Sequence, residues 1–189
     1  NIESSDNGTL RNSMIPTLLV AVSDNKDFKE SFGIFEIGRV VKGLKADGTA
    51  NERRSLGVVL FDKKGTEKDL YFKALNMVNT LVLSIKHVAP EFNKVQPTHA
   101  YEHPKNTAEI LVSGKNVGVL HTLHPSVLTK LDKTGKTVCI EIDIDDLIDV
   151  SNGNISFVEP STQQSTYYDL SLDISNGAKF SELKKCWDA

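Results

Sequence analysis

Apolar and polar positions alternate along several stretches of the chain, and this alternation predicts β-strands. Residues 32–41 (FGIFEIGRVV) and 53–62 (RRSLGVVLFD) have apolar residues at both odd and even positions. This pattern is typical of strands that are covered on both faces. We therefore predict that both strands lie in the interior of a sheet and that helices cover this sheet.

Residues 101–125 predict a β-hairpin. Two short apolar runs flank Ser113-Gly114-Lys115, and a Gly-containing connection of this kind is typical of a tight hairpin. Gly118 interrupts the second run and indicates a bulge or a close approach of another backbone. The preceding residues 89–106 hold three of the six prolines and are predicted to form a loop with one short extended piece.

Helical spacing of apolar residues predicts three helices. The first follows Ser13 and has Pro16 in its first turn, where the missing amide hydrogen costs nothing. The longest runs to about His87 and begins at Thr66, which together with Asp69 resembles a capping box. Its predicted buried stripe consists of Leu70, Ala74, Met77, Val78, Leu81 and Ile85. A short third helix is predicted to begin at Pro125.

Residues 138–145 alternate strictly, with Val or Ile at every even position. The pattern predicts a strand with one buried face and one acidic, largely solvent-exposed face. The exposed face would carry Cys139, Glu141, Asp143 and Asp145.

The last part of the chain has a different composition. Residues 149–165 are linker-like, apart from a brief apolar run at 155–158. Beyond them, residues 175–187 predict the start of a helix. A strand is predicted just before that helix from the alternation of Tyr168, Leu170, Leu172 and Ile174.

The composition is that of an ordinary globular domain, with 39% hydrophobic and 25% charged residues among 189. A net charge of -3 gives no general basic field, so an RNA-binding module would need a local basic stripe. Two cysteines without metal or disulfide spacing favour reduced thiols in a cytoplasmic protein. No apolar run approaches the roughly 20 residues that span a bilayer, so no membrane contact is expected. The chain starts at Asn1, and we expect a piece of a longer polypeptide.

Three of the five histidines lie in or beside the hairpin: His103, His121 and His124. They could form a metal or acid–base site, but no recognised spacing links them to further ligands. We favour imidazoles that hydrogen-bond the backbone. A nucleophilic pair of Cys139 and His121 has only the presence of both residues in its favour. We therefore predict no catalytic, cofactor-binding or metal-binding residue.

Two charged clusters have alternative interpretations. Residues 141–146 (EIDIDD) could bind a hard cation, although a solvated or partner-facing strand surface gives the same pattern. Arg53 and Arg54, with Lys63 and Lys64 across the strand, could meet a phosphate. We favour a role in ending the strand and keeping a sheet edge soluble.

Four stretches of the chain are similar, in the same order, to motifs of one known family. LRNSMIPTLL (10–19) is similar to that family's LRTSLLPGLL, and FEIGRVV (35–41) to its LFEIGRVF. HPKNTAEI (103–110) with GKNVGVLHTLHPSVL (114–128) is similar to HPGRSAEI and GxxIGxLGELHPEVL. CIEIDIDDL (139–147) lies where the family has a strand of the type AFELDLDAL. Together these stretches resemble the beta subunit of phenylalanyl-tRNA synthetase.

The chain departs from these family patterns in and beside the hairpin. Lys105 and Asn106 stand where the family has Gly and Arg, and His121 and Thr122 stand where it has Gly and Glu. These departures leave the predicted fold intact, but contacts made by these loops are expected to differ.

The resemblance implies an α+β fold. Residues 1–150 would be a degenerate copy of the class II aminoacyl-tRNA synthetase catalytic module, an antiparallel sheet flanked by helices. Residues 151–189 would be a linker and a strand/helix tail. Within that tail, TYYDLSLDI (166–174) is similar to the VxRDLSLVV that opens the family's ferredoxin-like anticodon-binding domain, which would be truncated here.

The resemblance also implies a role without catalysis. Class II adenylation needs arginines aimed at the phosphates of ATP. Arg11 lies near the place of the first such motif but no Glu follows in the required pattern, and no arginine follows Gly118. The module would support the alpha subunit in ATP-dependent phenylalanylation of tRNA(Phe), contacting tRNA through the whole enzyme. ATP and magnesium would belong to that whole enzyme, with no cofactor here. The alternative is a stand-alone small-molecule-binding or hydrolytic enzyme that uses His103, His121 and His124.

Overall fold

A computed structural model of the protein describes residues 10–154 and 166–174. The helices and strands of this part are, in chain order, α1 Ile15–Asn25, β1 Ser31–Leu44, β2 Ala50–Asp62, α2 Glu67–Lys86, β3 Glu91–Lys94, β4 Glu102–Val112, β5 Lys115–Leu123, α3 Pro125–Leu131, β6 Lys136–Asp143 and α4 Ile144–Asp149. No helix in this part is long and apolar enough to cross a membrane.

The strands form one antiparallel sheet in the order β1-β2-β6-β5-β4-β3. Helix α2 covers one face of this sheet, while α1 and α3 lie on the other. On the α2 side the core includes Leu70, Ala74 and Val78 of the helix and Leu120, Ile140 and Ile142 of the sheet. On the other side it includes Met14, Leu18, Val22, Val59, Phe61 and Cys139. The predicted α+β fold with an antiparallel sheet and flanking helices is therefore confirmed.

Strand β1 is an edge strand, so the prediction that it lies in the interior of the sheet is wrong. It pairs with β2, from Ser31 opposite Asp62 to Leu44 opposite Ala50, and with no other strand of the described residues. Its second apolar face is left uncovered, with Phe35 and Ile37 exposed by 71% and 62%. An apolar pattern on both faces thus does not here indicate a central strand.

Strand β6 is the central strand that the alternation did not reveal. It pairs with β2 on one side and β5 on the other, and both of its faces are covered. The predicted solvent exposure of its acidic face is wrong for Glu141, which is 7% exposed, and for Cys139, which is fully buried. The strand ends at Asp143, and α4 begins at Ile144, where the prediction continued the strand.

The hairpin of β4 and β5 is confirmed. Ser113 and Gly114 have φ of 51° and 79°, the left-handed values that a tight two-residue turn requires. Ile110 lies opposite Gly118 whereas Leu111 lies opposite Asn116, so the chain bulges beside Gly118 as predicted. A Cβ on Gly118 would clash with the backbone of β6, which confirms the close approach. Of residues 89–106, both β3 and the start of β4 are strand.

The cap of α2 is confirmed, but its buried stripe is only partly confirmed. The Thr66 hydroxyl accepts a hydrogen bond from the Asp69 amide at 3.1 Å and donates one to its carboxylate at 2.7 Å. Met77 and Ile85 are exposed by 42% and 49%, because they lie beside the true buried row rather than in it. That row is Leu70, Ala74, Val78, Val82 and Lys86.

The end of the chain differs from its prediction. Residues 166–174 form neither helix nor strand and are exposed, so the predicted strand is wrong. The apolar run at 155–158 and the helix predicted at 175–187 lie outside the described residues. The pattern of contacts within the chain separates two units, Asn1–Ile155 and Ser156–Ala189. The assignment of residues 1–150 and 151–189 to two enzyme modules stays a prediction.

Candidate functional site

Two of the three histidines in or beside the hairpin accept hydrogen bonds from backbone amides of the residues that follow them. Nδ1 of His103 accepts hydrogen bonds from the backbone amides of Lys105 and Asn106 at 3.0 and 3.2 Å. Nδ1 of His124 accepts from the Ser126 amide at 3.2 Å and so caps α3. The prediction that these imidazoles bond the backbone is confirmed for both residues.

His121 is fully buried in β5. Its Nδ1 lies 2.9 Å from the Thr122 carbonyl oxygen and must donate, because a carbonyl only accepts. Its Nε2 has no partner in the described structure. Burial lowers the pKa of this imidazole. Cys139 lies directly opposite on β6, and burial raises the pKa of its thiol far above the ordinary value. An enclosed, protonated thiol is a poor nucleophile.

The buried imidazole predicts a pH dependence of stability. Because its pKa is lower in the folded than in the unfolded chain, the unfolded state binds the proton first and stability falls as pH falls through about 6.5. We expect the free energy of unfolding to drop by about 1 kcal/mol between pH 7 and pH 5.5. Urea titrations monitored by circular dichroism at a series of pH values measure this drop.

The matched variants are His121→Gln and His87→Asn. His121→Gln should flatten the profile above pH 5.5. His87 is exposed and has φ of 58°, which Asn tolerates, so His87→Asn should leave the slope in place. A slope that survives His121→Gln would contradict the assignment.

A buried polar cluster joins the start of α1 to the centre of the sheet. The Glu141 carboxylate accepts hydrogen bonds from the Ser13 hydroxyl at 2.5 Å, the Met14 amide at 3.1 Å and the Ser55 hydroxyl at 3.1 Å. The Tyr101 hydroxyl donates to Ser13 at 2.8 Å. Sequence reasoning missed this cluster, because nothing near Glu141 in the chain reveals that Ser13 and Ser55 lie over it.

A second buried carboxylate lies at the start of β4. Glu102 is 2% exposed and accepts hydrogen bonds from the Thr98 amide at 2.7 Å and His99 Nδ1 at 2.9 Å. Burial alone would raise the pKa of Glu102, but these hydrogen bonds outweigh it and hold the pKa below its ordinary value. The His99 ring stacks on Tyr101 with centroids 4.9 Å apart. This arrangement orders the loop that leads into the hairpin.

The acidic residues after β6 are neutralised by basic partners. Arg53 contacts Asp143 through two hydrogen bonds of 3.0 and 2.9 Å and Asp146 at 2.7 Å. Arg54 Nε bonds Asp145 at 2.7 Å. In residues 10–154 and 166–174 no group of three or more His, Cys, Asp or Glu side chains is arranged to hold a metal ion. The structure therefore gives these carboxylates a structural role.

The predicted basic cluster is split. Arg53 and Arg54 lie near one end of β2, whereas Lys63 and Lys64 follow its other end, about 30 Å away at the rise of a strand. Lys64 pairs with Glu30. Since β2 is not an edge strand, these residues do not protect a sheet edge either.

The other two arginines are also paired. Arg11 contacts Glu36 at 2.8 Å and donates to the Arg39 carbonyl at 3.0 Å, which fastens the segment before α1 to β1. Arg39 contacts Glu52 at 2.8 Å across the hairpin of β1 and β2. Each of the four arginines in the sequence thus has a carboxylate partner.

An exposed apolar surface of the sheet forms a groove between α2, the edge strand β1 and its neighbour β2. This apolar groove has a volume of about 1060 Å³. Its exposed side chains include Phe35 and Ile37 of β1 and Met77 of α2, the last exposed by 42%. Phe72 at its rim is exposed by 52%. Exposed apolar side chains grouped in one groove make this surface a candidate interaction site.

Comparisons with known proteins point to one family. A family model described as "Phenylalanyl tRNA synthetase beta chain CLM domain" matches residues 1–144. A phenylalanine–tRNA ligase beta subunit of Solibacter usitatus is 27% identical over 89% of this chain and 20% of its own length. A chloroplastic beta subunit of Phaeodactylum tricornutum is 30% identical over 96% of this chain and 27% of its own. One of Leptospira borgpetersenii is 26% identical over 96% and 25%. The chain thus spans about a quarter of the length of these relatives.

Proposed function

The chain belongs to the family of the phenylalanyl-tRNA synthetase beta chain CLM domain, and on that basis we propose that it is a non-catalytic assembly module of a phenylalanine–tRNA ligase. It would support an alpha subunit in the ATP-dependent phenylalanylation of tRNA(Phe). ATP, magnesium and tRNA would be bound by the whole enzyme. A cytoplasmic location is part of the same proposal.

The observation that carries this proposal is the apolar groove. Phe35 and Ile37 project from an edge strand and are exposed by 71% and 62%, although apolar residues of a sheet normally gain stability by burial. The relatives are named as beta subunits, a name given to one chain of a multi-subunit enzyme. An alpha subunit seated on the groove would remove this surface from water.

The charge arrangement supports a module without catalysis. Adenylate formation needs positive groups that are free to meet the leaving diphosphate. All four arginines of the sequence are engaged with carboxylates. We propose that the sheet is a degenerate class II synthetase catalytic module, that it spans residues 1–150, and that residues 151–189 lead into an anticodon-binding domain.

The alternative of a hydrolytic enzyme has no support from the histidines. His103 and His124 are engaged in separate turns, and His121 is enclosed within the sheet. They do not line a common cavity among those of the described residues.

The experiment mixes the chain with the alpha subunit of the same organism. We expect a stable complex in size-exclusion chromatography with light scattering, and no phenylalanine-dependent exchange of pyrophosphate into ATP by the chain alone. Exchange by the chain alone would refute the proposed lack of catalysis. Failure of the alpha subunit to bind would refute the assembly role.

A further inference from the structure

A second cavity opens on the α2 side of the sheet, beyond the apolar groove. It has a volume of about 460 Å³ and lies between the first turns of α2 and strands β3, β4 and β5. We call it the lysine cavity. Tyr71 and Phe72 of α2 line one side and Phe92 of β3 lines another. Aromatic walls and a volume within about 300–1,000 Å³ are typical of small-molecule sites.

The lysine cavity is positively charged. Lys68, Lys94 and Lys105 line it, and none of them forms an ion pair with another residue of the described structure. Glu67 is the acidic residue in the lining, and it accepts a hydrogen bond from Asn106 at 3.0 Å. Three exposed lysines and one glutamate give the lining a net charge of +2, which attracts an anion.

We propose that the lysine cavity binds a small aromatic anion. The ring lies against Tyr71, Phe72 and Phe92, and the carboxylate or phosphate lies among the lysines. This binding role involves no catalysis and goes beyond the proposed assembly function, because the alpha subunit is not needed for it.

The test titrates the full chain by isothermal calorimetry with indole-3-acetate and with tryptamine, which share a ring and differ in the sign of their charge. We expect saturable binding of indole-3-acetate and at least about tenfold weaker binding of tryptamine. Equal binding of indole-3-acetate and tryptamine would overturn the proposal. So would the absence of saturable binding of both indole-3-acetate and a second aromatic anion, adenosine monophosphate.

Two further ligands identify the source of the anion. If adenosine monophosphate binds more tightly than indole-3-acetate, the cavity is a site for nucleotides, either free or at the end of an RNA. If indole-3-acetate binds more tightly, the cavity is a site for aromatic carboxylates. Inorganic phosphate is expected to bind much more weakly than either. Phosphate binding as tight as that of adenosine monophosphate would overturn the role of the aromatic walls.

Variants separate ligand binding from folding. Lys94→Gln and Lys105→Gln should each weaken the anion about two- to fivefold, in line with exposed charge pairs. Lys130→Gln, on α3 at the other face of the sheet, is the matched control and should change nothing. Unchanged affinity in the Lys94→Gln/Lys105→Gln double variant would overturn the assignment of the site.

Discussion

Replacing Glu141 by alanine should lower the free energy of unfolding by about 3 kcal/mol or more. The substitution removes a carboxylate that accepts hydrogen bonds from Ser13, Met14 and Ser55. It leaves the Ser13 hydroxyl and the Met14 amide without an acceptor in the interior, and it leaves the Ser55 hydroxyl only the Ile142 carbonyl oxygen at 3.3 Å. It also removes the polar contact between the start of α1 and β6. Urea unfolding of the full chain, followed by circular dichroism, measures the loss.

Two variants show whether this loss comes from the buried cluster. Glu141→Gln keeps the shape and one acceptor oxygen, so we expect an intermediate loss. Glu109→Ala on β4 is the matched control, because Glu109 is only half-buried and accepts one exposed hydrogen bond, from Asn116 at 2.9 Å. Its loss should stay below about 1 kcal/mol. Equal losses for Glu141→Ala and Glu109→Ala would show that the cluster contributes little.

Elements that depend on neighbouring residues could be predicted from the sequence. The start of α2 follows from the spacing of Thr66 and Asp69, because the capping hydrogen bonds are local. The turn at Ser113 and Gly114 and the bulge at Gly118 are local as well. In each case the residues that signal the feature are the ones that form it.

The order of strands could not be predicted, because pairing joins residues far apart in the chain. β6 lies between β2 and β5, so that Glu141 becomes buried although its alternating pattern fits a half-exposed strand equally well. β1 lies at the edge of the sheet, so its second apolar face is exposed rather than part of the core. Periodicity reports which residues share a face of a strand, but it does not report what covers that face.

The same distinction between local features and long-range pairing applies to the candidate site. The resemblance to the synthetase beta subunit located the module and agrees with the family match over residues 1–144. It did not indicate the lysine cavity, whose lining comes from α2, β3, β4 and β5. Lys68 and Lys105 are 37 positions apart, and only the folded sheet brings both to one cavity.

Replacing Phe35 and Ile37 together by aspartate should weaken binding of the alpha subunit by at least about 100-fold. Both side chains project from the edge strand into the apolar groove. Two carboxylates at the centre of an apolar interface would have to lose their hydration without gaining partners. Because both residues are exposed in the chain alone, by 71% and 62%, its free energy of unfolding should change by no more than about 1 kcal/mol. Calorimetric titration with the alpha subunit measures the affinity.

The control for this double variant is Val20→Asp. Val20 is also apolar and exposed, by 61%, but lies on α1 at the opposite face of the sheet. If the alpha subunit sits on the groove, Val20→Asp should bind it like the unchanged chain, while the double variant fails to bind and keeps its circular dichroism spectrum. An affinity that falls equally in both would place the contact elsewhere. If neither variant loses affinity, the apolar groove is not the surface on which the module is assembled.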